Sequence, residues 1–339
     1  MNRFSKFLGI FVAGLVWSTA AIAQDVTLRA HHFMSEKSTL HVKFLEVLAE
    51  RLNEASDGRL QMDVFAAMSL GGRPADLYDQ AVDGAVDIIL TLPGYTAGRF
   101  PQAEVFELPF LMEDNVATSR AFWDLVETRL QESDFEETHV LAAWVHGRGV
   151  IHSKEPITRL EDLRGRELRG PTRLVTDLLG ELGATPVGMP LPAIPENLSK
   201  GVISGAVVPW EIVPSIRLQE LVEHHTELSG PTALYTATLL LTMNIEAYED
   251  LPDDLRAILD AETGKTLSEF AGQIMADADK TNRSLGEANT IVVLDEAEVA
   301  RWESAAAPVY DRWILMASEE GFDGQALIDE ARSLIDQNQ

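Results

Sequence analysis

Arg169 stands between Glu167-Leu168 and Gly170-Pro171, where a strand-like run gives way to a turn and then a helical pattern. Ligands of open α/β sheets gather at the carboxyl ends of strands. A guanidinium placed there offers a planar fork that matches a carboxylate through two parallel hydrogen bonds. An ion pair with one of the chain's many acidic residues is the competing reading. Thr91, Leu92, Pro93, Gly94 and Tyr95 leave another apolar strand at an equivalent place. Pro93 and Gly94 make a tight loop whose N–H groups can hold an oxyanion, or simply turn the chain. Trp144 and His146 close one strand and Trp210 another. Aromatic walls give a ligand apolar contact, and ordinary core packing accounts for them equally. His31, His32 and Phe33 follow the first strand at its ligand-facing end.

Other chemistries lack their parts. The pairs His31-His32 and His224-His225 put successive side chains on opposite faces of a strand, which is poor geometry for chelation. Surface or loop positions are the expectation for both pairs. Val202-Ile203-Ser204-Gly205 holds only a fragment of a serine-nucleophile turn. Gly71-Gly72 lacks the third glycine and the spacing of a nucleotide-binding fingerprint. With no cysteine in the chain, disulfides and thiolate chemistry are excluded. No catalytic residue, metal, cofactor or nucleotide is expected.

The elements that must hold these residues alternate. Strand-like runs at Val26–Ala30, Leu60–Phe65 and Val86–Leu90 enclose helical patterns around Leu40–Leu52 and Pro74–Val82. That order marks a parallel sheet covered by helices. Val105–Leu111 reads as buried, a helix follows to about Gln131, and Val140–Val145 reads as a strand. A second α/β unit starts near Leu160, with Thr172 placed to cap a helix and strands at Gly205–Val208 and Leu239–Met243. Pro252 to about Leu285 is helical throughout, roughly 50 Å at about 1.5 Å per residue, which suits a brace across two lobes. Ile291–Leu294 is a last strand before acidic amphipathic helices. The expected fold class is α/β: two lobes, a hinge, an inter-lobe cleft and a long helix spanning both. The first lobe is expected from 25–147 plus about 262–300, the second from about 148–261 plus 301–339.

The first residues read as an address. Arg3 and Lys6 precede an apolar run that ends in Ala21-Ile22-Ala23, the plan of a cleaved secretory signal over residues 1–23. The expected location is the periplasm. Net charge is −27, and about −29 once Arg3 and Lys6 are removed. Such a surface repels nucleic acid and anionic lipid. An anionic ligand would have to overcome that field through local positive charge.

Taken in order, three elements resemble the substrate-binding subunit of tripartite ATP-independent periplasmic (TRAP) transporters, the DctP-like family. They are Leu160-Glu161-Asp162-Leu163-Arg164-Gly165 with Leu168-Arg169-Gly170-Pro171, then Leu182-Gly183-Ala184-Thr185-Pro186-Val187, then Gly201-Val202-Ile203-Ser204-Gly205. Supporting pieces are Met68-Ser69-Leu70-Gly71-Gly72, Phe106-Glu107-Leu108-Pro109-Phe110 and Asn244 to Pro252. The resemblance implies that Arg169 pairs with a ligand carboxylate and that ion-gradient-driven membrane subunits receive the ligand. The chain departs from the family pattern where Ser204 replaces an aspartate. It departs again where many members carry a second cleft arginine. Gly149 aligns there, with Arg148 one residue earlier, and Arg173 is a possible substitute. With Tyr95, Trp144 and Trp210 as walls, the expected ligand is a monocarboxylate with an apolar or aromatic part. The rival functions are a ligand-sensing partner of a membrane receptor, the binding protein of an ATP-driven transporter and an exported hydrolase.

Overall fold

The computed structural model describes residues 25–339; the expected signal segment lies outside them. The chain runs β1 (Val26–His32), α1 (Glu46–Ala55), β2 (Leu60–Phe65), α2 (Leu77–Val82), β3 (Ile88–Thr91), α3 (Asn115–Thr128), β4 (His139–Val145) and β5 (Val150–Ser153). It continues through β6 (Glu167–Gly170), α4 (Arg173–Glu181), β7 (Thr185–Gly188), α5 (Ile194–Lys200), β8 (Gly205–Val208), β9 (His224–Leu228) and β10 (Thr238–Met243). It ends with α6 (Ile245–Glu249), α7 (Asp253–Glu262), α8 (Lys265–Asn282), β11 (Thr290–Leu294), α9 (Glu296–Glu319) and α10 (Gly324–Gln337).

Two sheets result, one per lobe. The first has the order β2-β1-β3-β10-β4, and the second the order β11-β9-β5-β8-β6-β7. In the first, β2, β1 and β3 are parallel, as the strand–helix alternation requires. β10 then enters antiparallel between β3 and β4. All six of its residues are buried, so a continuous apolar run is what a strand covered on both faces needs.

Three expectations about lobe membership are corrected. β10, expected in the second lobe, completes the first sheet. β11, expected in the first, pairs with β9 in the second. α10, also expected in the second lobe, packs on α3 of the first. The chain therefore passes between lobes at 146–149, at 235–237, along α8 and again after α9.

The long brace is also corrected. Helix stops after Glu262 and restarts at Lys265, because Gly264 takes φ 77°, ψ −145°, a region open to glycine alone. Its N–H donates to Leu141 O at 2.7 Å instead of continuing the helix. Bridging falls to α8, about 27 Å long. Ser268 of α8 accepts from the Ala143 N–H of β4, at 3.0 Å. Near its other end, Asp279 accepts from the Glu211 N–H in the second lobe, at 2.5 Å.

Candidate functional site

Arg169 is the penultimate residue of β6 and is 2 % exposed. Its Nε donates to Met189 O at 2.9 Å and one terminal nitrogen donates to Val207 O at 3.1 Å. A guanidinium has five N–H donors, so these two bonds hold the fork by its stem and leave donors to spare. Burial weighs against the charge, and the groups offsetting it are the phenols of Tyr95 and Tyr235. Among the described residues no carboxylate forms an ion pair with it. A buried cation without an anion is costly, so this arginine is not held as part of a structural pair.

The guanidinium lies on a cavity between the lobes, with about 430 Å³ of space between its walls that is partly open to solvent. The first lobe contributes Phe33, Met34, Leu40, Leu92, Tyr95 and Leu239. The second contributes Arg169, Pro171, Leu191, Val208, Pro209, Glu211 and Ile212, while His146, Tyr235 and Met275 come from the crossing segments. Apolar lining with a few convergent polar groups is the composition of a small-molecule site.

The two segments that cross between lobes position its polar end. His146 N–H bonds Ala237 O at 3.2 Å and Gly149 N–H bonds Tyr235 O at 3.0 Å, which ties 146–149 to 235–237. Tyr235 is fully buried with no hydrogen-bond partner for its hydroxyl. Burial pushes its phenol up, so it stays a donor. The Tyr95 hydroxyl accepts from Leu191 N–H at 3.1 Å, which leaves its own proton to give. His146 meets Tyr235 edge to face at 5.2 Å. Its Nδ1 lies 2.6 Å from Gly147 O, which assigns the proton to Nδ1 and the free lone pair to Nε2. Burial, with help from the Arg169 charge, lowers it to about 4, so it is neutral at pH 7.

Among the described residues no second arginine lines the cavity, in keeping with the departure at Gly149. A Cβ at Gly149 would run into the Tyr235 ring, so Tyr235 fills the space a side chain there would need. Arg148 turns away and donates to Gly230 O and Thr232 O. Arg173 is no substitute: it is ion-paired with buried Glu104 and lies on a neighbouring recess with Gly94 and Thr172.

Other expected residues are placed elsewhere. The Tyr95 and Thr96 N–H groups are spent inside their own turn, on Leu92 O and Pro93 O. The loop thus serves the site through the Tyr95 side chain, not as an oxyanion nest. Thr91 and Pro93 do not line the cavity, and Gly94 leaves room for Thr172. Trp144 is core, donating to Met275 Sδ at 3.2 Å and packing on Phe44. Trp210 faces away from the cavity, donates to Glu227 at 2.7 Å and packs on His152 and His225.

Both histidine pairs lie in strands rather than on surface loops. His31 bonds Gln80 at 2.7 Å and accepts from Leu70 N–H. His32, lowered to about 3 mainly by burial, accepts from Met34 N–H and lies 2.9 Å from His41. His225 lies 2.7 Å from His152. The site residues that sequence reasoning missed are Tyr235 and Glu211. No periodic pattern surrounds Tyr235, and Glu211 follows Trp210, which drew the attention.

The model of bacterial extracellular solute-binding proteins, family 7 (DctP), matches residues 30–315. The chain is similar to a TRAP solute-binding protein of Rhodoferax ferrireducens, solved with copurified benzoate. The two share 47 % identity and a TM-score of 0.90, over 92 % of this chain and 98 % of that one. A marine-metagenome TRAP solute-binding protein specific for aromatic acids, solved with 3-hydroxybenzoate, shares 41 % identity and a TM-score of 0.91, over 93 % and 99 %. The ectoine-binding periplasmic protein TeaA of Halomonas elongata is 24 % identical over 86 % of this chain and 84 % of its own.

Proposed function

The chain belongs to the bacterial extracellular solute-binding proteins of family 7, and on that premise we propose that its cavity takes up a monocarboxylate with an aromatic or apolar body. Arg169 is the carboxylate's partner, with the Tyr95 and Tyr235 hydroxyls as additional donors. The observation that carries this reading is a buried guanidinium whose neighbours include two phenols and no protein carboxylate. With one arginine, and Tyr235 where a second would stand, the site matches one carboxylate rather than two. The benzoate and 3-hydroxybenzoate held by similar proteins fit the same chemistry.

The cycle is capture, closure and delivery. The anion meets Arg169 in the open cleft, and contacts on both lobes shift the population toward the closed form. Delivery in the periplasm goes to TRAP integral membrane subunits driven by an ion gradient. The ligand leaves chemically unchanged.

Thermal unfolding against a panel of organic acids tests this. A ligand at a hundred times its Kd stabilises the folded state by about 2.7 kcal/mol. Benzoate-like acids are expected to raise Tm in the wild type and not in Arg169→Ala. Stabilisation by dicarboxylates alone, or equal binding by the variant, would overturn the reading.

A further inference from the structure

The cavity holds a second unsatisfied polar group, of the opposite kind. Glu211 lines it, is 2 % exposed, and its Oε1 has no hydrogen-bond partner. No cation pairs with it among the described residues. Its N–H is spent on Asp279 at 2.5 Å and its carbonyl accepts from Asn282 at 3.0 Å, so the backbone at this residue is fixed. Burial lifts the carboxyl to about 7, with Thr39 as its opposing polar neighbour. An unpaired buried acceptor is destabilising, and a benzoate bound through Arg169 alone would leave it unpaired.

Arg169 and Glu211 both line the cavity from the second lobe. Arg169 is clamped to Val207 O at 3.1 Å, and from Val207 the chain passes Val208 and Pro209, both lining the cavity, to Glu211. Four residues span at most about 14 Å. The backbone that separates the two groups is therefore short, and both face the same cavity. The surfaces between are apolar: Phe33, Leu92, Leu191 and Leu239.

Resting on the carboxylate reading above, we propose that Glu211 is a specificity residue. It accepts a hydrogen bond from a hydroxyl on the ligand's ring, so that the preferred ligand class is hydroxylated aromatic monocarboxylates. The acid end satisfies Arg169 and Tyr235; the hydroxyl end satisfies Glu211. A site built to bond a ligand hydroxyl discriminates strongly against the analogue that lacks it, because its own buried group is left unpaired.

Titration calorimetry of the mature protein with benzoate, its three monohydroxy isomers and the three methoxy counterparts tests the proposal. At least one hydroxy isomer is expected to bind tenfold or more tightly than benzoate, and its methoxy counterpart to lose that gain. In Glu211→Leu the ratio of hydroxy isomer to benzoate falls to about one while benzoate stays bound. A structural role for Glu211 would lower Tm without moving the ratio. Benzoate binding with no advantage for any isomer overturns this proposal and leaves the carboxylate reading intact, as does an advantage that survives methylation or Glu211→Leu. If no acid binds at all, the carboxylate reading falls with it. The methoxy comparison needs no variant, so a Glu211→Leu chain that fails to fold still leaves the test decisive.

Discussion

Tyr235 is a donor kept dry and unpaired beside a buried cation, and removing its hydroxyl should have effects of opposite sign. In Tyr235→Phe the unpartnered group disappears, so the ligand-free protein should unfold at the same denaturant midpoint or a higher one. Binding of a carboxylate should weaken about 10- to 100-fold, the worth of one hydrogen bond to a charged acceptor. Urea unfolding without ligand and calorimetry with benzoate measure the two arms. A large loss of stability with affinity unchanged would make Tyr235 a packing residue. Arg169 was legible because its type, its place at a strand end and the following Gly170-Pro171 agree. The phenols beside it are less legible. Tyr95 reads as a wall and does line the cavity, whereas Tyr235 sits in an irregular crossing segment whose course depends on pairing with 146–149. Trp144 and Trp210 show the limit of reading aromatics at strand ends. Trp144 packs on Phe44 and Trp210 on two histidines, contacts that only the folded chain supplies.

Elements were easiest to read where burial is two-sided. The apolar runs of β3, β4, β8 and β10 stand out from their surroundings, and each forms a strand. β7 and β9 did not. β7 is four residues with a proline and a glycine, and β9 begins His224-His225 and lies between β11 and β5, a placement that no local pattern announces. The break between α7 and α8 was hidden for a related reason. A single glycine inside a helical pattern is usually tolerated, and only the hydrogen bond from Gly264 to Leu141 shows that this one is used to stop the helix. Gly264→Ala should cost about 1–3 kcal/mol, since a side chain at φ 77° is strained. Thermal unfolding measures it. An unchanged Tm would mean that α7 and α8 can adjust their junction freely.

At the scale of the molecule, the lobes are held together by polar contacts at the rim of the ligand cavity and in the recess beside it. Arg173 of the second lobe pairs with Glu104 of the first, and Tyr95 accepts from Leu191 N–H across the same gap. Burial lifts Glu104 to about 7, against the pull of the Arg173 charge. Arg173→Met should weaken the closed form, raising Kd about 5- to 100-fold through faster dissociation, as expected for a coupling of 1–3 kcal/mol. The ranking of acids should stay the same because the cavity lining is untouched. Stopped-flow dissociation decides it: an unchanged rate would show that this pair does not restrain opening. The position of β10 between β3 and β4 has a further effect, on the order in which the chain can fold. β3 and β4 are both synthesised early, yet their shared neighbour is residues 238–243, which appear only after five of the six strands of the second sheet. The first sheet cannot close until those residues exist, and its most non-local pairings form last and slowly. A chain cut before residue 238 lacks the strand that joins β4 to the rest of its sheet, so the first lobe stays open until most of the protein has been made.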